Sequence, residues 1–354
     1  MKNDITHQPN THISAFDVFC GVGGLAYGLR SAGINIVGGL DIDKTCEFAF
    51  EHNCSAPFFH TDVAETTFGD IASLFERAKY RILVGCAPCQ PFSAMSNSSR
   101  KEVEQMKWSA LPEFSRLISE GQPHVVFMEN VPRLQRHEVF TQFLNQLKSN
   151  DYKVTMNVVN CSDYGVPQTR RRLVLLASKL GKINIPTKVS FIPTVRETIE
   201  GLPQLRNGEH DPSDPLHQCS KLSTLNLRRI RASTPGGSWN IWPTNLRPEC
   251  YLRPSGKSFH NVYGRMKWDT LSPTLTTQFF RYGTGRFGHP EQDRALSLRE
   301  GALLQTFPYT FKFVHSAETC TFTRVGAHIG NAVPPQLALI FGREIIKHIE
   351  EFGE

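Results

Sequence analysis

The chain has 354 residues, of which 40% are hydrophobic and 20% charged, so it can bury one large core or two moderate ones. It has no apolar run of the roughly 20 residues that span a bilayer, and its polar N-terminus lacks the apolar stretch of a signal peptide. The nine scattered cysteines are therefore expected to be reduced thiols, and we expect a cytoplasmic protein with no membrane partner.

The net charge of +6 is distributed unevenly along the chain. Between residues 221 and 268 there are nine basic residues and one acid, Glu249, so this segment carries +8 and the remainder −2. Aromatic residues lie between the basic ones: Trp239, Trp242, Tyr251, Phe259, Tyr263 and Trp268. This pattern favours a polyanion as partner, nucleic acid first, and the alternative is a solvated basic surface.

The first motif is a glycine turn between a predicted strand and a predicted helix. After an N-terminal arm over 1–12, residues 15–19 predict a strand and 26–32 a helix that ends at Gly33. Gly21, Gly23 and Gly24 lie between them and allow a tight turn that a ligand can approach closely. Their spacing is not Gly-x-Gly-x-x-Gly, which disfavours a pyrophosphate.

Two acids follow the next two predicted strands. The strand over 34–40 ends at Asp41, and Asp62 follows a shorter strand-like stretch. An acid at the end of the second strand is where α/β nucleotide folds bind ribose hydroxyls. Glycine turn and acids together predict a nucleoside pocket, and a nucleoside without phosphates, such as S-adenosyl-L-methionine, fits them well.

The apolar run 82–84 predicts a buried strand that breaks at Gly85 and leads to Cys86 and Cys89. This Cys-x-x-Cys pair leaves zinc binding and thiol–disulfide exchange open. A structural zinc site needs four ligands, and no second pair stands out, so we expect no metal. We expect Cys86 to be a small buried hydrophobe and Cys89 a nucleophile, because open α/β sheets hold their sites beyond the carboxyl ends of their strands.

Further elements alternate up to about residue 180. A helix over 112–119 precedes a strand over 124–128, which ends at Glu129, either in the pocket of Cys89 or as a surface acid. A helix over 139–148 and strands over 153–159 and 173–177 follow. Three arginines, 170–172, precede the last of these strands, and burying them is costly unless something polar or anionic meets them.

The remainder of the chain changes character. From about 181 to 313 it is rich in Pro, Gly and turn residues and predicts a loop-rich second domain that carries the basic segment. Ser297 is placed to cap a helix that runs to Gln305, and an amphipathic helix is predicted over 336–350.

Taken in series, these stretches resemble the cytosine-C5 DNA methyltransferase family of bacterial restriction-modification systems. The matching motifs are Asp17–Gly24, Asp41, Asp62, Pro88-Cys89-Gln90, Glu129-Asn130-Val131, Gln168–Arg172, Arg299–Pro308 and Gly330–Pro334. The resemblance implies a Rossmann-like α/β methyltransferase domain with a mainly parallel sheet, plus a smaller, irregular target-recognition domain. The implied boundaries are 1–12 for the arm, 13–180 for the catalytic domain, 181–324 for target recognition, and 325–354 for a segment returning to the catalytic domain.

The resemblance also implies a reaction. A methyl group passes from S-adenosyl-L-methionine to C5 of a cytosine flipped out of a specific short duplex DNA sequence, leaving S-adenosyl-L-homocysteine. Cys89 attacks C6 of the cytosine, and Glu129 neutralises N3. Arg172 contacts O2 and braces Glu129, with Arg170 as a further catalytic candidate. Because a free thiol is only a few per cent thiolate at pH 7, these arginines are the expected source of positive potential.

Two further sets of residues are carried over from the family pattern. The cofactor is expected against Phe19, Gly21, Gly23, Gly24, Leu25, Asp41, Ile42, Asp62, Val63, Pro88 and Asn331. The expected DNA contacts are Gln90, Ser93, Arg228, Arg229, Arg231, Arg253 and Lys257. The chain departs from the family in having Met106-Lys107-Trp108 where most members have Asp-x-Arg, and Ile42 where many have an aromatic residue. For Asn331 a helix-capping or turn role is the alternative.

Three other functions are compatible with parts of this pattern. A transfer-RNA cytosine-C5 methyltransferase would share the fold and the chemistry, but it would lack a long recognition domain. A thiol oxidoreductase built on Cys86 and Cys89, or a non-catalytic DNA-binding protein, would not need Cys89 for methyl transfer. We therefore expect a monomer that acts on double-stranded DNA, with a cognate restriction endonuclease as a separate partner.

Overall fold

The computed structural model describes residues 10–88, 101–253, 256 and 261–353. Contacts divide the chain into two compact units. Unit 1 comprises Met1–Tyr164, Arg171–Val189 and Val333–Glu354, and unit 2 comprises Gly165–Arg170 and Ser190–Ala332. These boundaries differ from the expected ones in that 165–170 and 325–332 group with unit 2, and 181–189 with unit 1.

Unit 1 is built on a seven-stranded sheet in the order β3-β2-β1-β4-β5-β7-β6. Its strands are β1 (Asn10–Val18), β2 (Ile34–Asp41), β3 (Phe58–His60), β4 (Tyr80–Gly85), β5 (Val125–Asn130), β6 (Lys153–Asn160) and β7 (Arg171–Ser178). Only β7 runs antiparallel to its neighbours β5 and β6, so the predicted mainly parallel sheet is confirmed. The predicted end of the N-terminal arm at residue 12 is wrong, because β1 already begins at Asn10, which pairs with Ile34.

Eleven α-helices lie in the described part of the chain. They are α1 (Gly24–Ala32), α2 (Glu47–Cys54), α3 (Phe68–Ala72), α4 (Lys101–Gly121), α5 (Glu138–Ser149), α6 (Val195–Ile199), α7 (Thr224–Arg231), α8 (Glu249–Leu252), α9 (Leu298–Leu304), α10 (Phe322–Asn331) and α11 (Pro335–Phe352). None of these helices is long and apolar enough to cross a membrane. The predicted helix over 112–119 began too late, since α4 starts at Lys101 and Pro112 lies in its interior. The prediction placed the helix start at Pro112 because proline is common in the first turn of a helix and rare in its interior.

Helices cover both faces of the central strands. Every residue of β5 is buried, as expected for a strand between two helical layers. On one face, Phe114 of α4 stacks on Phe143 of α5 with ring centroids 6.1 Å apart. On the other face, Phe127 of β5 stacks on Phe341 of α11 at 5.3 Å.

Helix α11 lies very close to α1 at one glycine. A Cβ atom on Gly28 would come within 2.3 Å of the Pro335 carbonyl oxygen and 2.4 Å of the Ala338 Cβ. Only glycine allows this approach, and it ties the last helix of the chain to the first.

Unit 2 has little regular structure apart from its helices and a small hairpin of β8 (His210–Asp211) and β9 (Asp214–Gln218). Its core is aromatic: Trp239 and Trp242 are buried and pack in one cluster with Ile230 and Tyr282. The sequence pattern had associated Trp239 and Trp242 with a polyanion-binding surface, but their side chains fill the interior of the unit. Phe259 lies outside the described residues.

Buried charges hold the region around α9 together. Arg294 donates two hydrogen bonds to the Glu300 carboxylate, at 2.8 and 2.7 Å, and both side chains are almost fully buried. Ser297 caps α9 as predicted, because its Oγ accepts the Glu300 N–H while Glu300 accepts the Ser297 N–H. Asp214 and Arg299 form a second buried pair at 2.6 and 2.9 Å.

Burial alone would raise the pKa of the Glu300 carboxyl, but the charge and hydrogen bonds of Arg294 outweigh burial. With smaller contributions from His289 and the Ser297 N–H, they lower the pKa of Glu300 to about 2 from an ordinary value of 4.5. Because the folded-state pKa is depressed, the pair stabilises the protein fully above about pH 4.5. That stabilisation is lost as the pH falls towards 2.

We therefore expect Glu300→Gln to destabilise the protein by about 3–5 kcal/mol at pH 7, because Arg294 would remain buried without a counter-charge. Urea unfolding monitored by tryptophan fluorescence measures this. Glu200→Gln is the control, because Glu200 pairs with Arg196 at the exposed surface and its loss should cost well under 1 kcal/mol. Equal effects of the two substitutions would contradict the role given to the buried pair.

Candidate active site

The glycine turn after β1 and the acid at the end of β2 are joined by a hydrogen bond. The Gly21 N–H donates to Asp41 Oδ2 at 2.8 Å, and the Asp43 N–H donates to Asp41 Oδ1 at 2.9 Å. Gly23 has φ +89, and a Cβ atom there would lie 2.8 Å from Cys54 Sγ, so glycine is required. Each Asp41 oxygen has one donor and room for a second, so the carboxylate can still accept two hydroxyls.

Burial raises the pKa of the Asp41 carboxyl, and the N–H groups of Asp43 and Gly21 lower it in part. Asp17, on neighbouring β1, is fully buried, and no hydrogen bond from the described residues meets either of its oxygens. Burial raises the pKa of Asp17 well above its usual value, and the Ala26 N–H at the start of α1 offsets only part of this effect because it lies near the carboxyl without hydrogen-bond geometry. The turn therefore lies beside acceptor atoms that the protein itself leaves unsatisfied. Asp17 is not among the expected cofactor residues.

The other predicted cofactor residues of unit 1 follow the same strand ends. Ile42 comes directly after β2, and its side chain is 61% exposed, an unusual position for a large apolar group. Asp62 follows β3 and accepts the Ala64 N–H at 2.9 Å, while Val63 is buried. Asn331 lies in unit 2, at the exposed end of α10.

A second group of polar side chains lies at the ends of β4, β5 and β7. Glu129 is 1% exposed, and its Oε1 is 2.7 Å from Arg172 Nε. The Arg172 N–H does not point at this oxygen, so the contact is an ion pair, and no hydrogen bond from the described residues reaches Oε1. The prediction that Arg172 braces Glu129 agrees with this contact. A buried carboxylate needs such a counter-charge, and Oε1 keeps the capacity to bind a ligand donor.

Cys86 is the second partner of Glu129. Its thiol donates to Glu129 Oε2 at 3.1 Å, and the side chain is only partly buried. The expectation of a small buried hydrophobe is therefore wrong. The reason is the register of two parallel strands: Gly85 pairs with Met128, which places the next residue of each strand side by side. A reading of one strand at a time does not reveal this neighbour.

Asn130 holds the chain just before the predicted nucleophile. Its Nδ2 donates to the Ala87 carbonyl oxygen at 3.0 Å, and its Oδ1 accepts the Val131 N–H at 2.8 Å. The motif Glu129-Asn130 thus fixes both a carboxylate and the backbone two residues before Cys89. Pro88 is exposed and ends the described segment. Cys89, Gln90, Ser93 and Lys257 lie outside the described residues.

Arg170 occupies a different place from Arg172. It belongs to unit 2, is almost fully buried, and donates to the carbonyl oxygens of Leu275 and Ala332 at 3.4 and 3.3 Å. Gln168, in the same motif, donates to Gln305 Oε1 at 2.7 Å. The first half of the Gln168–Arg172 motif therefore organises unit 2, whereas Arg172 lies in β7 of unit 1.

The predicted DNA contacts of unit 2 fall into two groups. Arg228, Arg231 and Arg253 are exposed, and Arg231 also contacts Asp293 at 3.0 Å. Arg229 instead donates to the Leu246 carbonyl oxygen, and its guanidinium lies over the Trp242 ring at 5.9 Å. Arg229, expected as a DNA contact, is therefore held by contacts within unit 2.

The fold and these strand-end groups define an α/β methyltransferase. Among solved structures, the chain is similar to a putative DNA modification methyltransferase encoded within an E. coli prophage, with a TM-score of 0.72 at 21% identity over 96% of this chain and 99% of that one. It is also similar to the Dnmt2 methyltransferase of S. pombe, with a TM-score of 0.61 at 16% identity over 97% and 100%. Both likenesses concern the fold.

Sequence comparisons give the family. A sequence model of the C-5 cytosine-specific DNA methylase family matches residues 13–347. The type II methylase M.HgiDII of Herpetosiphon aurantiacus is 46% identical over 347 residues, covering 96% of each chain. The type II methyltransferase M1.BsuMI of Bacillus subtilis is 30% identical, covering 96% of this chain and 82% of that one. The chain therefore belongs to the C-5 cytosine-specific DNA methylase family, whose methyl donor is S-adenosyl-L-methionine. It is a DNA cytosine-C5 methyltransferase similar to bacterial restriction-modification enzymes.

The contact between Cys86 and Glu129 gives a prediction. Cys86→Ala leaves Glu129 Oε2 without its donor, and we expect methyl transfer to fall about 10- to 100-fold, as for a lost hydrogen bond to a charged group. Cys86→Ser keeps a donor and should retain most activity. Initial rates of tritium transfer from labelled S-adenosyl-L-methionine to plasmid DNA compare the variants. Equal rates for Cys86→Ala and wild type would contradict a role for this contact.

Proposed function

We propose that the enzyme methylates C5 of a cytosine flipped out of a specific short duplex DNA sequence, through a transient bond between Cys89 and C6. The observation that carries this proposal is the position of Glu129. Its carboxylate is buried and charge-paired with Arg172, and it lies beside the strand whose continuation leads to Cys89. Cytosine inside a duplex is out of reach of such a group, so extrusion of the base is part of the proposal.

Each step follows from the chemistry of these side chains. The Cys89 thiolate adds to C6 of cytosine, and the electron pair of the C5–C6 double bond shifts towards C5 and N3. Glu129 enters this step in its protonated form and donates its proton to N3, which neutralises the negative charge developing there and makes C5 nucleophilic enough to take the methyl group. Water then removes the C5 proton, and the electrons of that C–H bond re-form the double bond and expel Cys89. Arg172 keeps Glu129 in place and contacts O2 of the base.

The positive charge that favours the Cys89 thiolate is assigned to the arginines of the Gln168–Arg172 motif. Arg172 is the main candidate, because its ion pair with Glu129 places the guanidinium beside the strand that leads to Cys89. Arg170 remains in the proposal as a positioning residue, because it binds two backbone carbonyls of unit 2.

S-adenosyl-L-methionine supplies the methyl group when it is bound, and the residues around the glycine turn fit it. Asp41 retains acceptor capacity for the two ribose hydroxyls. The exposed Ile42 side chain offers an apolar surface to the adenine ring, and Asp62 an acceptor to its amino group. The Asp17 oxygens, which no hydrogen bond from the described residues meets, favour a ligand that carries hydrogen-bond donors over a phosphate, which offers acceptors. Phe19, Gly21, Gly23, Gly24, Leu25, Val63, Pro88 and Asn331 complete the proposed set.

The biological setting follows from the relatives. M.HgiDII and M1.BsuMI carry the names of type II methylases. We propose that this enzyme likewise acts in the cytoplasm as a monomer on double-stranded DNA, with a separate cognate restriction endonuclease. The exposed arginines 228, 231 and 253, together with Gln90, Ser93 and Lys257, remain the proposed DNA contacts.

Replacement of the nucleophile tests the proposal. Cys89→Ser should abolish tritium transfer to duplex DNA, because a serine hydroxyl is far less ionised at neutral pH than a thiol. Duplexes with 5-fluorocytosine at the target should be captured covalently by wild type in the presence of methyl donor, since fluorine cannot leave as a proton does. Methyl transfer by Cys89→Ser at wild-type rate, with no adduct formed by folded wild type, would overturn the mechanism.

Replacement of Asp41 tests the cofactor site separately. Asp41→Ala removes the acceptor for the ribose hydroxyls, and we expect the affinity for S-adenosyl-L-methionine to fall about 10- to 150-fold by isothermal titration calorimetry. Asp43→Asn removes the same charge two residues away and retains an acceptor for the Thr45 N–H, so it should bind within about twofold of wild type. If both variants bind like wild type, Asp41 does not hold the ribose.

A further inference from the structure

Three short segments of unit 2, around Pro235, Arg265 and Gly288, lie side by side. Pro235 bridges to Arg265, and Arg265 bridges to Gly288. The Gly236 N–H donates to the Arg265 carbonyl oxygen at 3.0 Å, and the Met266 N–H to that of Gly288 at 2.9 Å. The resulting small ladder fixes where the side chains before and after each bridge project.

The Arg265 side chain is buried and forms its hydrogen bonds inside the unit. It is 5% exposed and donates to the carbonyl oxygens of Ile230, Ser233, His289 and Gln292. It also pairs with Asp293. These bonds use four of the five N–H groups of the guanidinium, and the role of this arginine is to hold the ladder.

The flanking residues line a cavity of about 250 Å³. Its walls are apolar at Met266, Leu271 and Pro273, and its cations are Lys267 and Arg286. Lys267 is exposed and Arg286 half-buried. Neither has an acidic side chain within 4.0 Å among the described residues.

Arg286 is left with unused hydrogen-bonding capacity. Its Nε is buried and meets no hydrogen-bond acceptor among the described residues, and its Nη2 makes one long contact of 3.5 Å to Asn261 Oδ1. An unpaired buried donor is costly, so an acceptor brought into the cavity would relieve an existing penalty. Arg286 therefore contrasts with Arg265, its neighbour on the ladder.

Two glycines make room for the cationic side chains. A Cβ atom on Gly264 would lie 2.7 Å from Arg286 Cγ, so the arginine stem rests directly on the Gly264 backbone. Gly236 has φ +78, and a Cβ atom there would lie 2.1 Å from Lys267 Cε. Any larger residue at either position would displace the cation that lies over it. The cavity is thus shaped around these two side chains.

We propose that Arg286 reads a guanine of the recognition sequence through the O6 and N7 atoms of its major-groove edge, with Lys267 supplying positive potential beside it. The inference rests on the proposed function and names a specificity-determining residue for it. Two parallel acceptors match the fork of a guanidinium. The apolar walls favour a flat base edge over a phosphate, which would lose its hydration against them. A half-buried arginine without a carboxylate partner suits that role better than the exposed arginines 228 and 253.

The test uses the full-length enzyme and removes one acceptor at a time from the DNA. Bisulfite sequencing of plasmid methylated by wild type first gives the recognition sequence. Each guanine in a duplex of that sequence is then replaced by 7-deazaguanine, which lacks N7, and kcat/KM for methyl transfer is measured. We expect one position at which this replacement lowers wild-type kcat/KM about 5- to 150-fold. Arg286→Ala should lower kcat/KM on unmodified duplex by a similar factor and lose no more at that position.

Two further variants separate the possible outcomes. Arg286→Lys keeps the charge without the fork and should also become insensitive to that 7-deazaguanine. Arg281→Ala removes an exposed arginine that lies over Phe280, outside the cavity, and should keep the wild-type profile. If folded Arg286 variants remain sensitive at every position, or slow all sequences equally as a phosphate contact would, the inference is wrong. Failure of wild type itself to methylate any duplex would instead overturn the proposed function.

Discussion

The buried carboxylate of Glu129 is the constraint on which the rest of unit 1 depends. A charged group that is 1% exposed needs partners, and here they come from two different neighbours of β5. Arg172 belongs to β7, on one side of β5, and Cys86 follows β4 on the other. The carboxylate therefore has both partners only when the strand order and the register are correct, which couples the burial of this charge to the assembly of the sheet.

Buried charged groups also meet partners in the motif that spans the boundary between the two units. In Gln168–Arg172, the first residues bind within unit 2, and the last forms the ion pair with Glu129 in unit 1. A run of arginines that would be costly to bury together is thus divided between two environments, each with its own acceptors. In unit 2 the buried arginines 265, 294 and 299 are likewise matched by carbonyl or carboxylate oxygens. Against this background the unused Nε of Arg286 stands out.

Much of the fold could be predicted from the sequence, because it depends on local pattern. The apolar runs of β2, β4, β5 and β7, the capping of α9 by Ser297 and the final amphipathic helix all follow from residue types at short spacing. The start of α4 could not, since a proline in the helix interior looks like a helix start.

The site was predictable to a smaller extent. The family motifs named Glu129, Arg172 and Asp41; the ion pair between Glu129 and Arg172 agrees with the bracing role given to the arginine, and Asp41 accepts the Gly21 N–H. Contacts between residues far apart in the sequence could not be predicted. Examples are the hydrogen bond from Cys86 to Glu129 and the hydrogen bond from Arg229 to the Leu246 carbonyl oxygen. Nor does the sequence distinguish the satisfied Arg265 from the unsatisfied Arg286, because both are simply arginines in a basic, glycine-rich segment.

The close packing at Gly28 has a consequence for how the protein is made. The surface of α1 that receives Pro335 and Ala338 is synthesised before these residues, and all of unit 2 is made in between. Until α11 has been made, Gly28 lacks the segment that packs against it in the folded unit. This contact joins residues more than 300 positions apart in the chain, and such non-local contacts form slowly because the entropy of loop closure opposes them. The packing of α1 against α11 is therefore expected to form late in folding.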